Sequence, residues 1–105
     1  MRPFVLTPAA SRDLEEIWDY VAADNRKVAG RVLDKIEAVM RKLARTPGIG
    51  HVREDLADRR HRFFLVYSYL IVYRPDTRPL QVIRILHASR DIQNLLELHE
   101  DQPGP

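Results

Sequence analysis

The sequence predicts an α+β domain: a helical hairpin packed on one face of a small, mostly antiparallel sheet, in the order β-α-α-β-β-β-α. Three observations predict it. Two apolar stripes at helical period follow one another, separated only by the short break "DNR" at 24–26. Three strand-length runs rich in aromatic and β-branched residues come next, "RFFLVY", "YLIVYR" and "LQVIRIL". The chain has 105 residues, which fits one domain and one core.

Each element has a local reason. "FVLT" (4–7) reads as a short strand. Thr7 then suits a helix N-cap, with Pro8 at the first helical position, where its missing N–H costs nothing. That helix runs to about Ala23. Ala10, Leu14, Ile17, Trp18 and Val21 form its apolar face, and Arg12, Asp13, Glu15, Glu16 and Asp19 are expected on the other side. The second helix spans about Arg26 to Arg45, with Ala29, Val32, Leu33, Ile36, Val39, Met40 and Leu43 as its stripe. Gly30 either weakens it or lets the first helix approach closely. "TPGIG" (46–50) ends it, and 51–60 reads as a polar loop anchored by Leu56. Three strands follow at 62–67, 69–74 and 80–86, with "PDTRP" (75–79) as the last turn. A short helix is expected from Ser89, with Asp91 in its first turn. Residues 1–98 are expected to form the domain and 99–105 a flexible tail.

Composition narrows the function. The chain has no cysteine, which excludes disulfides and thiolate metal sites. No run approaches a membrane span or a secretory signal, so a cytoplasmic protein with no membrane association is expected. The net charge is only +2, but residues 51–87 hold seven arginines against four acids, and the tail from 88 holds one arginine against four acids. His51, His61, His87 and His99 lack the close-paired spacing of a metal site. No glycine-rich phosphate loop and no nucleophile elbow is present, and no cofactor is expected.

What remains is a set of cations beside the strands: Arg53, Arg62, Arg74, Arg84, His87 and Arg90. On strict alternation Ile83 and Ile85 face the helices, and Arg84 points to an uncovered face. With His87 and Arg90 past the strand end, a cationic hollow for phosphates or acidic side chains is expected there. Phe63, Phe64, Tyr67 and Tyr69 exceed what one small core needs. The surplus suits docking of another chain.

The segments "AASRDLEEIWDYVAADN", "LARTPGIGHVREDL", "YLIVYRP" and "VIRILHASRDI" resemble, in order, the ParE branch of the RelE/ParE toxin superfamily. The likeness runs from about Phe4 to Leu96. It implies the toxin of a type II toxin–antitoxin pair, held inactive in a hetero-oligomer by an antitoxin that alone contacts operator DNA. ParE-like members poison DNA gyrase, whereas RelE-like members cut mRNA on the ribosome. Lys27, Lys35 and Lys42 all fall on the hairpin, and "LLELHEDQPGP" has no terminal tyrosine. That departs from the ribonuclease pattern and favours gyrase inhibition without bond-making chemistry. Target contact is then expected from Arg53, Arg62, Arg74, Arg84, His87 and Arg90, and antitoxin contact from Trp18, Phe63, Phe64, Tyr67 and Tyr69. A ribonuclease would use His87 as acid or base, with Arg53, Arg62, Arg84 and Arg90 as phosphate clamps. An inactive toxin-like co-repressor is the third reading.

Overall fold

The computed structural model describes residues 2–53 and 58–89. Its elements are β1 (Phe4–Leu6), α1 (Pro8–Ala22), α2 (Arg26–Arg45), a 3₁₀ turn (Pro47–Ile49), β2 (His51–Arg53), β3 (Asp58–Val66), β4 (Tyr69–Arg74) and β5 (Leu80–His87). The strands form one sheet in the order β1-β5-β4-β3-β2, with β1 parallel to β5 and the other pairings antiparallel.

Thr7 caps α1 by accepting from the Ala10 N–H at 3.1 Å. Its hydroxyl donates to the Ile83 carbonyl at 2.7 Å, so the cap also ties the helix start to β5. Asn25 caps α2 by accepting from the Val28 N–H. The stripes of both helices meet one sheet face in a core that includes Ala10, Ile17, Ile36, Met40, Leu43, Ile71, Tyr73, Val82 and Ile85.

Two expectations fail here. The stretch 51–60 is not a polar loop: it contributes β2 and the start of β3. Three exposed or half-exposed residues at a sheet edge carry no period to read, and only their pairing with β3 makes them a strand. The second concerns β5. Opposite Val72 and Tyr73 the register slips, so Val82 pairs with Tyr73 but Arg84 with Val72, leaving Ile83 as an extra residue. Val82 and Ile85 therefore enter the helix-side core, while Ile83 and Leu86 join a second cluster with Phe63, Leu70 and Val72. Ile83 and Ile85 do not share a face. The far side of the sheet is not naked either: Phe63, Leu70, Val72 and Leu86 are all buried. The expected C-terminal helix, the 99–105 tail and Leu56 lie outside the described residues.

One end of the sheet is pinned by Tyr73, which is fully buried. Its hydroxyl donates to the Pro47 carbonyl at 2.6 Å and accepts from the Gly50 N–H at 2.9 Å. Arg62 donates to the Gly50 carbonyl at 2.9 Å. The "TPGIG" segment is thus bonded to the sheet, and a methyl group at Gly50 would overlap the Tyr73 phenol. Gly30 differs: a methyl there would meet nothing within 4 Å, so close approach of α1 is not its reason. At the other end, Tyr67 in the β3–β4 turn adopts φ 55°, a left-handed conformation that a bulky side chain takes only at a cost.

Three outcomes follow for urea unfolding. Tyr73→Phe leaves the Gly50 N–H and Pro47 carbonyl unpaired and should cost about 1–3 kcal/mol. Gly30→Ala and Tyr67→Gly should each stabilise by up to about 1 kcal/mol, the first through helix propensity and the second by relieving φ. Burial raises the pKa of Tyr73, with the Gly50 N–H and Arg62 opposing it. The folded state therefore holds that proton more tightly than the unfolded chain. Its contribution is complete below the ordinary tyrosine value near 10 and is lost as pH rises through the raised one. Stability should fall above about pH 10, and less steeply in Tyr73→Phe.

Candidate functional site

Arg84 is where the structure departs most from expectation. It does not project over an uncovered face but lies beneath α1. Its Nε donates to Asp13 Oδ2 at 2.7 Å and its Nη2 to Asp13 Oδ1 at 3.0 Å. The Ile85 N–H adds a third bond to Asp13 Oδ2 at 2.9 Å. The two side chains are 15% and 8% exposed. Two causes combine. β1 pairs with β5 only as far as Val82, so beyond it the edge of β5 lies open to Asp13. Asp13 falls in the same helical row as Ala10 and Ile17, both buried, so α1 delivers a carboxylate to the sheet. Bidentate pairing matches guanidinium to carboxylate, and nothing on the carboxylate is left unpaired.

This pair forms one wall of a cleft of about 480 Å³ between α1 and the β4–β5 ends. Glu16, Ile17 and Tyr20 line it from the helix, and Tyr69, Ile85 and His87 from the strands. Tyr69 and His87 are cross-strand partners whose rings meet edge to face, centroids 5.5 Å apart at 85°. His87 Nδ1 accepts from the Ser89 N–H at 3.1 Å and lies 2.8 Å from the Ser89 hydroxyl. The pKa of Tyr69 is raised, first by burial and then by the nearby Tyr20 phenol. Tyr20 itself is 80% exposed.

The remaining cations do not gather at this cleft. Arg62 stands opposite Tyr73, and Arg74 closes on Asp76 at 3.3 Å at the far end of β4. Tyr69, opposite His87, is four residues from Tyr73, or roughly 13 Å along the strand. Arg53 lies over the Phe63 ring, 5.8 Å from its centre, on an edge strand three positions from β5. Arg90 is outside the described residues. Of the aromatic candidates, Phe63 is buried, Trp18, Phe64 and Tyr69 are half-buried, and Tyr67 is exposed. Three site features were missed. Asp13 was detectable from its place in the Ala10–Ile17 row. Tyr20 was detectable as an aromatic off the apolar stripe. The exposure of Leu65 had no local signal.

Residues 4–92 match the family model described as the ParE toxin of type II toxin-antitoxin system, parDE. The chain belongs to the ParE toxin family. Similar members include Toxin ParE1 of Caulobacter vibrioides, 30% identical over 92 residues, covering 85% of this chain and 92% of that toxin. Toxin ParE3 of the same organism is 32% identical over 89 residues, covering 84% and 88%. A solved structure described as the chromosomal ParDE TA system from P. aeruginosa shares the fold, with a TM-score of 0.68 at 20% identity, covering 82% of this chain and 95% of that one. The expected α+β architecture is thus the ParE architecture, two helices on a five-stranded mixed sheet.

In this ParE-family chain, Asp13→Ala and Arg84→Ala should each destabilise by about 3–5 kcal/mol, because each strands a buried charge. The double variant should lose less than the sum by at least about 1 kcal/mol in a denaturant-based cycle. Additive losses would mean that the pair is not coupled.

Proposed function

We propose that this chain is a cytoplasmic toxin that inhibits DNA gyrase, and with it replication, and that a cognate antitoxin neutralises it in a hetero-oligomer. Operator DNA is reached only through the antitoxin. The observation that carries the choice of target is the dispersal of the cationic residues. A ribonuclease of this scaffold needs an acid or base within about 3 Å of the reacting group and clamps on the same phosphate. Here Arg84 is bonded to Asp13, Arg62 to the Gly50 carbonyl and Arg74 to Asp76, the last two at the opposite end of the sheet from His87. Lys27, Lys35 and Lys42 sit on exposed positions of α2. Such an arrangement suits a toxin that acts by occupying a protein surface rather than by cutting a bond. Arg53, Arg74, His87 and Arg90 are the target-facing candidates. Arg84 and Arg62 serve the fold that presents them. Trp18, Phe64, Tyr67 and Tyr69 are the candidates for antitoxin contact that keep some exposure. Among the described residues no helix is long and apolar enough to cross a membrane.

Supercoiling by purified gyrase should fall on addition of the toxin and recover on addition of the antitoxin encoded beside its gene. Unaffected gyrase with cleaved mRNA on translating ribosomes would establish the ribonuclease reading instead. Neither effect, with operator binding tightened by the complex, would identify a co-repressor.

A further inference from the structure

The exposed side of α2 carries a stripe of cations. The helix holds seven basic residues against Asp34 and Glu37, and Glu37 is taken by Arg41 at 2.7 Å. At about 100° and 1.5 Å per residue, Lys27, Arg31, Lys35, Lys42 and Arg45 fall within about 80° of one another and run roughly 27 Å along the axis. All five are exposed. Asp34 borders the stripe, and among the described residues no carboxylate closes an ion pair on any of the five.

Helix stability does not account for this stripe. Lys42 and Arg45, in the last turn, complement the negative end of the helix dipole. Lys27 stands near the positive end, which opposes it, and the first turn holds no acid. Lys27, Arg31 and Lys35 follow one another at intervals of four, a spacing at which like charges repel. A face that serves only solubility intersperses both signs.

The makeup of the stripe indicates its partner. Surfaces that dock on proteins have an apolar centre rich in aromatic residues and poor in lysine. This one holds three lysines and no aromatic residue. Ala38 is its apolar member, and Val28 at its margin is only 36% exposed. A helix that lies on a membrane also needs a broad apolar face beside its cations. A row of cations without such a face suits a row of phosphates, which binds by releasing counterions. We propose that α2 lies along the phosphate backbone of duplex DNA, with Lys27, Arg31, Lys35, Lys42 and Arg45 as the contacts. The choice of DNA over RNA rests on the gyrase reading above, since that target works on a DNA duplex. Phosphates carry no sequence information, so the choice of an operator stays with the antitoxin.

The test titrates the full chain against a fluorescent DNA duplex of arbitrary sequence, with anisotropy as the readout, at salt concentrations from roughly 50 to 200 mM. The logarithm of the binding constant should fall against the logarithm of salt with a slope of about −4.5, because each neutralised phosphate contributes about −0.9. Arg31→Gln with Lys35→Gln should bring the slope to about −2.7 and weaken binding roughly tenfold at the lowest salt, with the melting temperature unchanged or raised. Arg12→Gln with Arg78→Gln removes the same charge away from the stripe and should leave the slope where it was. No binding at the lowest salt overturns the proposal, and so does equal weakening by the two double variants. Tighter binding to duplex RNA, to phosphatidylserine vesicles or to polyglutamate than to DNA overturns the choice of partner. Supercoiling by gyrase is measured alongside. A chain that inhibits gyrase but binds no DNA sinks the stripe and leaves the gyrase reading standing. One that binds DNA through the stripe and leaves gyrase unaffected supports the stripe and removes the gyrase reading.

Discussion

The bond between Asp13 and Arg84 is the constraint on which the placement of α1 over β5 depends. It joins residues 71 apart in sequence and fixes α1 over the part of β5 that β1 does not cover. Both groups are largely withdrawn from water, so desolvation offsets most of their attraction. Their value lies in specificity. Only one rotation of α1 and one register of β5 satisfy the guanidinium, the carboxylate and the Ile85 N–H together. An apolar pair at the same positions would tolerate sliding, whereas a carboxylate with three donors does not.

The open edge of β5 beyond Val82 is what makes that bond possible, and the slip at Ile83 sorts the aliphatic residues around it. With strict alternation Val82 and Ile85 could not share a face. The extra residue lets Val82 and Ile85 fill the helix-side core while Arg84, between them, still reaches Asp13. Ile83 and Leu86 are released to the second cluster, which explains why the far face is apolar and buried rather than lined with cations.

Most of the fold was legible in the sequence, because its signals are local. Thr7–Pro8, the "DNR" break, the two stripes and the aromatic-rich strands each state their structure within a few residues. The site was far less legible. A bulge depends on pairing with β4, and nothing in "VIRILH" announces it. Reading Asp13 as solvated followed from its type, although its position among Ala10 and Ile17 argued otherwise. The edge strand β2 was lost for a similar reason, since three exposed or half-exposed residues become a strand only through a partner. The family resemblance supplied what these residues could not, but it carried no information about which arginine is bound to what.

The two ends of the β3–β4–β5 sheet are built differently. At one end Tyr73, Gly50, Pro47 and Arg62 exchange three short hydrogen bonds, and the chain has no freedom to adjust. At the other, Tyr67 sits in a strained turn with its side chain 60% exposed, Leu65 is 56% exposed, and Tyr20, Tyr69 and His87 border the cleft. Burial would repay such strain in a core residue, but Tyr67 gains little burial. A glycine or asparagine would make the same turn at lower cost. Stability therefore does not account for an aromatic residue there. One end is held by buried hydrogen bonds, and the other carries backbone strain and exposed apolar surface.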